Sequence, residues 1–168
     1  MAAANKKLVV AVIGYTGGVG SCLLTAMKKI GLPPHALVRS STMKIGSEST
    51  EEIPVDYSAL SSYLLQQDGI PVIADVTASG DVQENYEGWL KQGISIVAAN
   101  KGIFAGSESK YTALFEAAKE GRCRLLHETT VGAGAFMFLK VFQSISNVFS
   151  PAQQRLRSRG SRTFDLCF

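Results

Sequence analysis

The chain alternates between two hydrophobic periods. Leu8–Ile13 (LVVAVI) is a nearly continuous apolar run ending at Gly14, the pattern of a parallel strand buried on both faces. Val19, Leu23, Leu24, Met27 and Ile30 then recur at helical spacing, and Gly31, Pro33 and Pro34 stop that helix. Ala36–Val38 reads as a second strand and the polar stretch 40–52 as a loop. Leu60, Leu64 and Leu65 predict a short helix, and Pro71–Val76 (PVIADV) a strand. Asp81 caps a predicted helix that carries Val82, Tyr86, Trp89 and Leu90 and ends at Gly93. Ile94–Ala98 is the next strand, Tyr111, Leu114, Phe115 and Ala118 mark a helix stopping at Gly121, and Cys123–His127 is a last strand. Phe136, Leu139, Phe142, Ile145 and Phe149 mark a final helix.

This order predicts an α/β fold, an open parallel sheet with helices on both faces. The composition shifts at Ser150–Pro151, so residues 1–150 read as the folded domain and 151–168 as an Arg-rich, disordered tail. That tail also explains the net charge of +3. Arg155, Arg157, Arg159 and Arg162 stand there against Asp165, and the first 150 residues carry 13 cationic and 13 acidic side chains. A balanced domain makes no phosphate-tracking field, so a nucleic-acid partner is not expected. No apolar run reaches the roughly 18–20 residues of a membrane span, and only seven residues precede the first strand, so a cytoplasmic chain is expected. Cys22, Cys123 and Cys167 are odd in number and far apart, which suggests neither a zinc site nor a disulfide framework.

Candidate chemistry gathers where strands end. Gly14-Tyr15-Thr16-Gly17-Gly18-Val19-Gly20 sits where the first strand hands over to the first helix. Glycines there allow a tight turn and let a pyrophosphate approach the free N–H groups of a helix N-terminus. An acidic residue about 20 positions on, which would bind a ribose 2′-hydroxyl, is missing: after Gly20 none occurs until Glu48. Arg39 and Ser40 stand in its place and can pair with a 2′-phosphate, which tilts the expectation to NADP, with NAD possible. Thr77-Ala78-Ser79 follows the strand PVIADV, where small hydroxyl residues leave room for a flat ring. Asn100-Lys101 follows ISIVAA and puts an amide and an ammonium at the same edge, where Lys101 can polarise a substrate carbonyl.

The strings VIADVTAS (72–79), ENYEGWLKQGISIVAANKG (84–102) and HETTVGAGA (127–135), in this order and spacing, resemble the homoserine dehydrogenases. The resemblance covers about residues 7–145. It implies a Rossmann-like nucleotide-binding domain in an enzyme that interconverts L-aspartate 4-semialdehyde and L-homoserine with NAD(P)(H). It implies that Gly14–Gly20 cradle the pyrophosphate, that Thr77 and Ser79 lie near the nicotinamide, and that Lys101 stands between cofactor and substrate. It also implies a monovalent cation, sodium in most relatives, held largely by backbone carbonyls at Glu128, Val131, Ala133 and Ala135. Relatives are homo-oligomers, and the resemblance places their dimerisation and substrate-binding region beyond residue 168, so this chain is expected to carry mainly the cofactor domain. Two other readings stand beside it. One is a non-catalytic NADP-binding module. The other is a different Rossmann enzyme, such as a semialdehyde dehydrogenase, which requires a nucleophilic cysteine near the nicotinamide.

Overall fold

The computed structural model describes residues 7–102 and 107–127. The predicted final helix, the cation-site stretch after His127 and the Arg-rich tail lie outside the described residues. The elements run β1 (Leu8–Ile13), α1 (Gly18–Lys29), β2 (Ala36–Val38), β3 (Thr42–Ile45), β4 (Ile53–Pro54), α2 (Tyr57–Gln66), β5 (Ile70–Asp75), α3 (Gly80–Gln83), α4 (Tyr86–Lys91), β6 (Ser95–Ala98), α5 (Glu108–Glu120) and β7 (Leu125–Leu126). Among the described residues the strands form one sheet in the order β4-β3-β2-β1-β5-β6-β7. β1 pairs in parallel with β2 on one side and β5 on the other, and β5–β6 and β6–β7 continue in parallel.

All six residues of β1 are buried, and their alternation feeds two separate cores. Val9, Ala11 and Ile13 face a layer built by Leu60 and Leu64 of α2, Tyr86, Trp89 and Leu90 of α4, and Leu114 and Ala117 of α5. Leu8, Val10 and Val12 face Leu23 and Met27 of α1. This is why the first apolar run shows no polar alternation. Each fully buried aliphatic side chain of that run contributes about 1.5–3 kcal/mol relative to an exposed one.

Three predicted elements differ. Residues 40–52 are not a loop throughout: Thr42–Ile45 form β3, antiparallel to β2, and Ile53–Pro54 pair back on it, so the sheet is mixed at this edge. Only Met43 of this stretch is buried, so its polar neighbours hid the strand. The single helix expected from Asp81 to Gly93 is two, α3 and α4. Ser79, not Asp81, precedes α3, and Asp81 lies in its first turn. The last strand is shorter than Cys123–His127 and comprises Leu125–Leu126. α2, whose cap the apolar spacing did not reveal, starts on Asp56, whose Oδ1 accepts from Ser58 N at 2.8 Å and Ala59 N at 3.0 Å.

His35 extends the β1–β2 pairing below its first register pair. Its backbone N–H donates to Val10 O at 2.7 Å, and its Nδ1 accepts from Val10 N at 3.3 Å. The second bond requires an unprotonated Nδ1. Partial burial, and then the charge of Lys7, hold the imidazole pKa below its ordinary 6.5. The unfolded chain therefore takes up a proton, as pH falls below about 6.5, that the folded chain resists. The contribution is full above that pH and is lost as pH falls through the lower folded-state value. Between pH 8 and pH 5 the melting temperature is expected to fall further in the wild-type chain than in His35→Gln, which keeps an acceptor but does not titrate. Parallel curves would show that His35 is not the group responsible.

Candidate functional site

The sheet order sets the site. The chain leaves β1 through α1 to β2 on one side and comes back from β4 through α2 to β5 on the other, so the carboxyl ends of these parallel strands lie at a switch point, the place where open α/β sheets bind ligands. Read across that edge, β2, β1, β5 and β6 present Arg39, the glycine turn, Thr77–Ser79 and Asn100–Lys101 in a row. Three inter-strand spacings make this row about 14 Å long, which suits an extended ligand rather than a lone anion.

The glycine turn is locked to both neighbours. Gly14 N donates to Val38 O at 2.7 Å, and Val76 N donates to Ile13 O at 3.0 Å. Gly14 has φ +89°, and a Cβ there would lie 2.7 Å from the Thr77 methyl. A Cβ on Gly20 would lie 2.3 Å from Gly14 O and 2.6 Å from Tyr15 Cα, so Gly20 allows α1 to pack against its own entry turn. Gly17 and Gly18 differ. A Cβ on Gly17 meets only Gly14 O, at 3.6 Å, and one on Gly18 meets nothing within 4 Å. Gly17 is the N-cap of α1, no side chain caps the helix, and no acidic residue lies in its first turn. The N–H groups of Gly18, Val19 and Gly20 therefore have no intrahelical acceptor, and the helix dipole adds to their attraction for an anion. Thr16 and Val19 flank this turn and are exposed. Space over Gly17 and Gly18 is thus open beside N–H groups that have no intrahelical acceptor.

At the end of β5 stands a feature the motif spacing did not single out. Asp75 is fully buried. Its Oδ1 accepts from Thr77 N at 2.8 Å and Thr77 Oγ1 at 2.7 Å. Its Oδ2 accepts from the Tyr86 hydroxyl at 2.5 Å and from Asn100 Nδ2 at 3.3 Å. A buried carboxylate is tolerated only when its lone pairs are engaged, and here four donors do this. Burial, and then the Asp75 charge, push the Tyr86 hydroxyl pKa far up, so it remains a donor. Asn100 is also buried: Nδ2 donates to Ser79 O at 2.9 Å, and Oδ1 accepts from Gly102 N at 3.2 Å. Thr77 Oγ1 accepts from Ser79 N at 3.2 Å. The polar groups of Thr77 and Asn100 thus hold the two loops against each other, while Ala78 and Lys101 are exposed. The signal available in the sequence was a carboxylate at the end of the otherwise apolar string PVIAD.

Arg39 directly follows β2, with Ser40 exposed beside it. Its Nε donates to Thr42 Oγ1 at 2.7 Å and its Nη2 to Glu52 Oε2 at 2.5 Å. The sequence between Gly20 and Glu48 holds no acidic residue, yet the β3–β4 pairing brings Glu52 back to that place. Hydrogen bonding from Thr42 and the charges of Arg39 and Lys44 hold the Glu52 carboxyl below its usual range.

Neither described cysteine builds a nucleophile at this edge, and Cys167 lies outside the described residues. Cys123 precedes β7, at the opposite end of the strands, and its Sγ donates to Leu90 O at 3.2 Å. Burial pushes its thiol up to about 11. Cys22 lies within α1 and is exposed. Among the described residues no group of three or more His, Cys, Asp or Glu is arranged to hold a metal ion, and no helix is long and apolar enough to cross a membrane. Glu128, Val131, Ala133 and Ala135 lie outside the described residues.

Residues 16–128 match the family described as homoserine dehydrogenase, NAD binding domain. The chain belongs to the homoserine dehydrogenase family. It is 30% identical over 133 residues to the homoserine dehydrogenase of Emericella nidulans, covering 79% of this chain and 33% of that protein. It is 28% identical over 189 aligned positions to the homoserine dehydrogenase of Paracoccidioides brasiliensis, covering 98% of this chain and 50% of that protein. The chain thus spans a third to a half of the length of these curated relatives. A hyperthermophilic archaeal homoserine dehydrogenase, solved in complex with NADPH, shares the fold with a TM-score of 0.57 at 20% identity, over 73% of this chain and 44% of that one. What the chain shares with the family is its cofactor domain, Rossmann-like, with a mixed, mostly parallel sheet.

Two substitutions test the bracing of this homoserine dehydrogenase domain. Tyr86→Phe removes one donor from a buried carboxylate and is expected to cost about 1.5–3 kcal/mol in urea unfolding. A loss below about 0.5 kcal/mol would mean the Asp75 network does not brace the fold. Gly20→Ala should lower the melting temperature without any ligand, because its methyl has no room.

Proposed function

We propose that this domain binds NADP(H) in preference to NAD(H), and that it serves an enzyme interconverting L-aspartate 4-semialdehyde and L-homoserine. The observation that carries the reading is the alignment of Arg39, the open Gly17–Gly18 turn, the Asp75-braced loops and Lys101 along one carboxyl edge, in a member of this family. The archaeal relative's NADPH complex supports the cofactor class.

When bound, the nicotinamide supplies or accepts the hydride. The chain's residues hold and orient. N–H groups of Gly18, Val19 and Gly20 would bind the pyrophosphate, and Arg39 with Ser40 would take the 2′-phosphate. Ala78 and Ser79 leave a shallow surface for the ring, on loops fixed by Thr77 and Asn100. Lys101 is held at the end of β6 by the adjacent Asn100, whose amide bonds to both Ser79 and Gly102. Its ammonium would stabilise negative charge growing on the aldehyde oxygen and hold a proton near it.

Fluorescence titration tests the reading. NADPH is expected to bind, and to bind more tightly than NADH, with Arg39→Asp removing the preference. Gly17→Ala adds a methyl at ordinary contact distance from its own chain, so it should leave the melting temperature unchanged and abolish cofactor binding. No binding of either dinucleotide by the folded chain would sink the reading. Equal affinities would sink only the NADP part. In homoserine oxidation by an enzyme in which this domain is joined to a substrate-binding region, Lys101→Met should lower the rate by about a hundredfold while leaving NADPH affinity nearly unchanged. A loss confined to NADPH affinity would make Lys101 a cofactor ligand instead.

A further inference from the structure

The cluster at the end of β2 holds one group that works against the ligand proposed for it. A guanidinium clamps an oxyanion best through its side edge, Nε together with one Nη. In Arg39 that edge is occupied: Nε by Thr42 Oγ1 at 2.7 Å and Nη2 by Glu52 Oε2 at 2.5 Å. Thr42 Oγ1 donates onward to the same Glu52 oxygen at 3.0 Å. The other Glu52 oxygen lies 3.4 Å from Lys44 Nζ. Glu52 thus stands between the two cations of the cluster. All three side chains are partly open to solvent, at 42% for Arg39, 32% for Glu52 and 29% for Lys44. A ligand can therefore reach them.

We propose that Glu52 is a cofactor-discriminating residue, competing with the 2′-phosphate of NADP(H) for Arg39 and Lys44. The proposal rests on the reading of this edge as a dinucleotide site. A ribose 2′-phosphate carries a charge near −2 and needs the occupied edge of Arg39. It must displace the Glu52 carboxylate or sit beside it. A ribose with a free 2′-hydroxyl brings no charge and meets neither cost. Glu52 therefore narrows an NADP preference that Arg39 and Lys44 alone would make wider. Thr42 keeps the competition organised, because its hydroxyl bonds Arg39 and Glu52 at once.

The test is a pair of titrations, NADPH and NADH, on the wild-type chain and on Glu52→Gln. Glu52→Gln is expected to tighten NADPH binding by about five- to tenfold and to leave NADH within about twofold, a gain that shrinks as salt is raised. In an Arg39→Met background the same substitution should give a clearly smaller gain, because only Lys44 is then left for Glu52 to release. Lys44→Met gives an independent reading if the Gln variant loosens the hairpin: NADPH should weaken several-fold and NADH should not. An unchanged NADPH-to-NADH ratio in folded Glu52→Gln, weaker NADPH binding there, or no effect of Lys44→Met each overturns the proposal. Failure of the wild-type chain to bind either dinucleotide is a different result, and it removes the underlying site reading.

Discussion

Both faces of β1 are closed to water, so each of its six side chains needs an apolar neighbour. The chain meets that demand by sending α1 to one side and α2, α4 and α5 to the other. Once helices cover both sides, the parallel neighbours of β1 must arrive by crossovers, and β2 and β5 dock on opposite edges. A switch point at the carboxyl end of β1 is the geometric result. The glycine turn sits there because it is where a strand with no free face becomes a helix that lies across it. Gly14 and Gly20 serve this handover sterically, whereas Gly17 and Gly18 leave space that the fold itself does not use.

The second constraint is electrostatic. Asp75 ends β5 inside the protein, where a carboxylate needs donors on every side. Those donors come from its own loop, from α4 and from the loop after β6. One buried charge thereby ties together two strand ends and a helix, and it gives the site edge a fixed shape built from short loops. It also gives Thr77 and Asn100 a structural part. Their polar atoms bond within the protein and fix the loops that carry Ala78, Ser79 and Lys101.

Most of the architecture was legible where burial is continuous. The runs in β1, β5 and β6, and the helical spacing of α1 and α5, required no tertiary information. The antiparallel β3 was not legible, because one buried residue, Met43, among threonine, lysine and isoleucine gives too little periodicity over four positions. The break between α3 and α4 was likewise hidden, since Val82, Tyr86, Trp89 and Leu90 keep one apolar face across it. At the site, Arg39, the glycine turn, Thr77 and Asn100 were found from their places after apolar strands. Asp75, Tyr86 and Glu52 were not, because the pairings of Asp75 with Tyr86 and Asn100, and of Glu52 with Arg39, span 11 to 25 residues and arise only through sheet order and hairpin pairing.

The β3–β4 hairpin lies at the margin of the sheet and carries its charged cluster outside both apolar cores. Residues at such a margin can be exchanged at little cost to folding, whereas those around Asp75 cannot. If the hairpin faces the dinucleotide as proposed, selection would retune it among closely similar ligands while the loops fixed by Asp75 stay unchanged. On that reading, a shift of cofactor choice would take one or two exposed substitutions and leave both apolar cores and the Asp75 network intact.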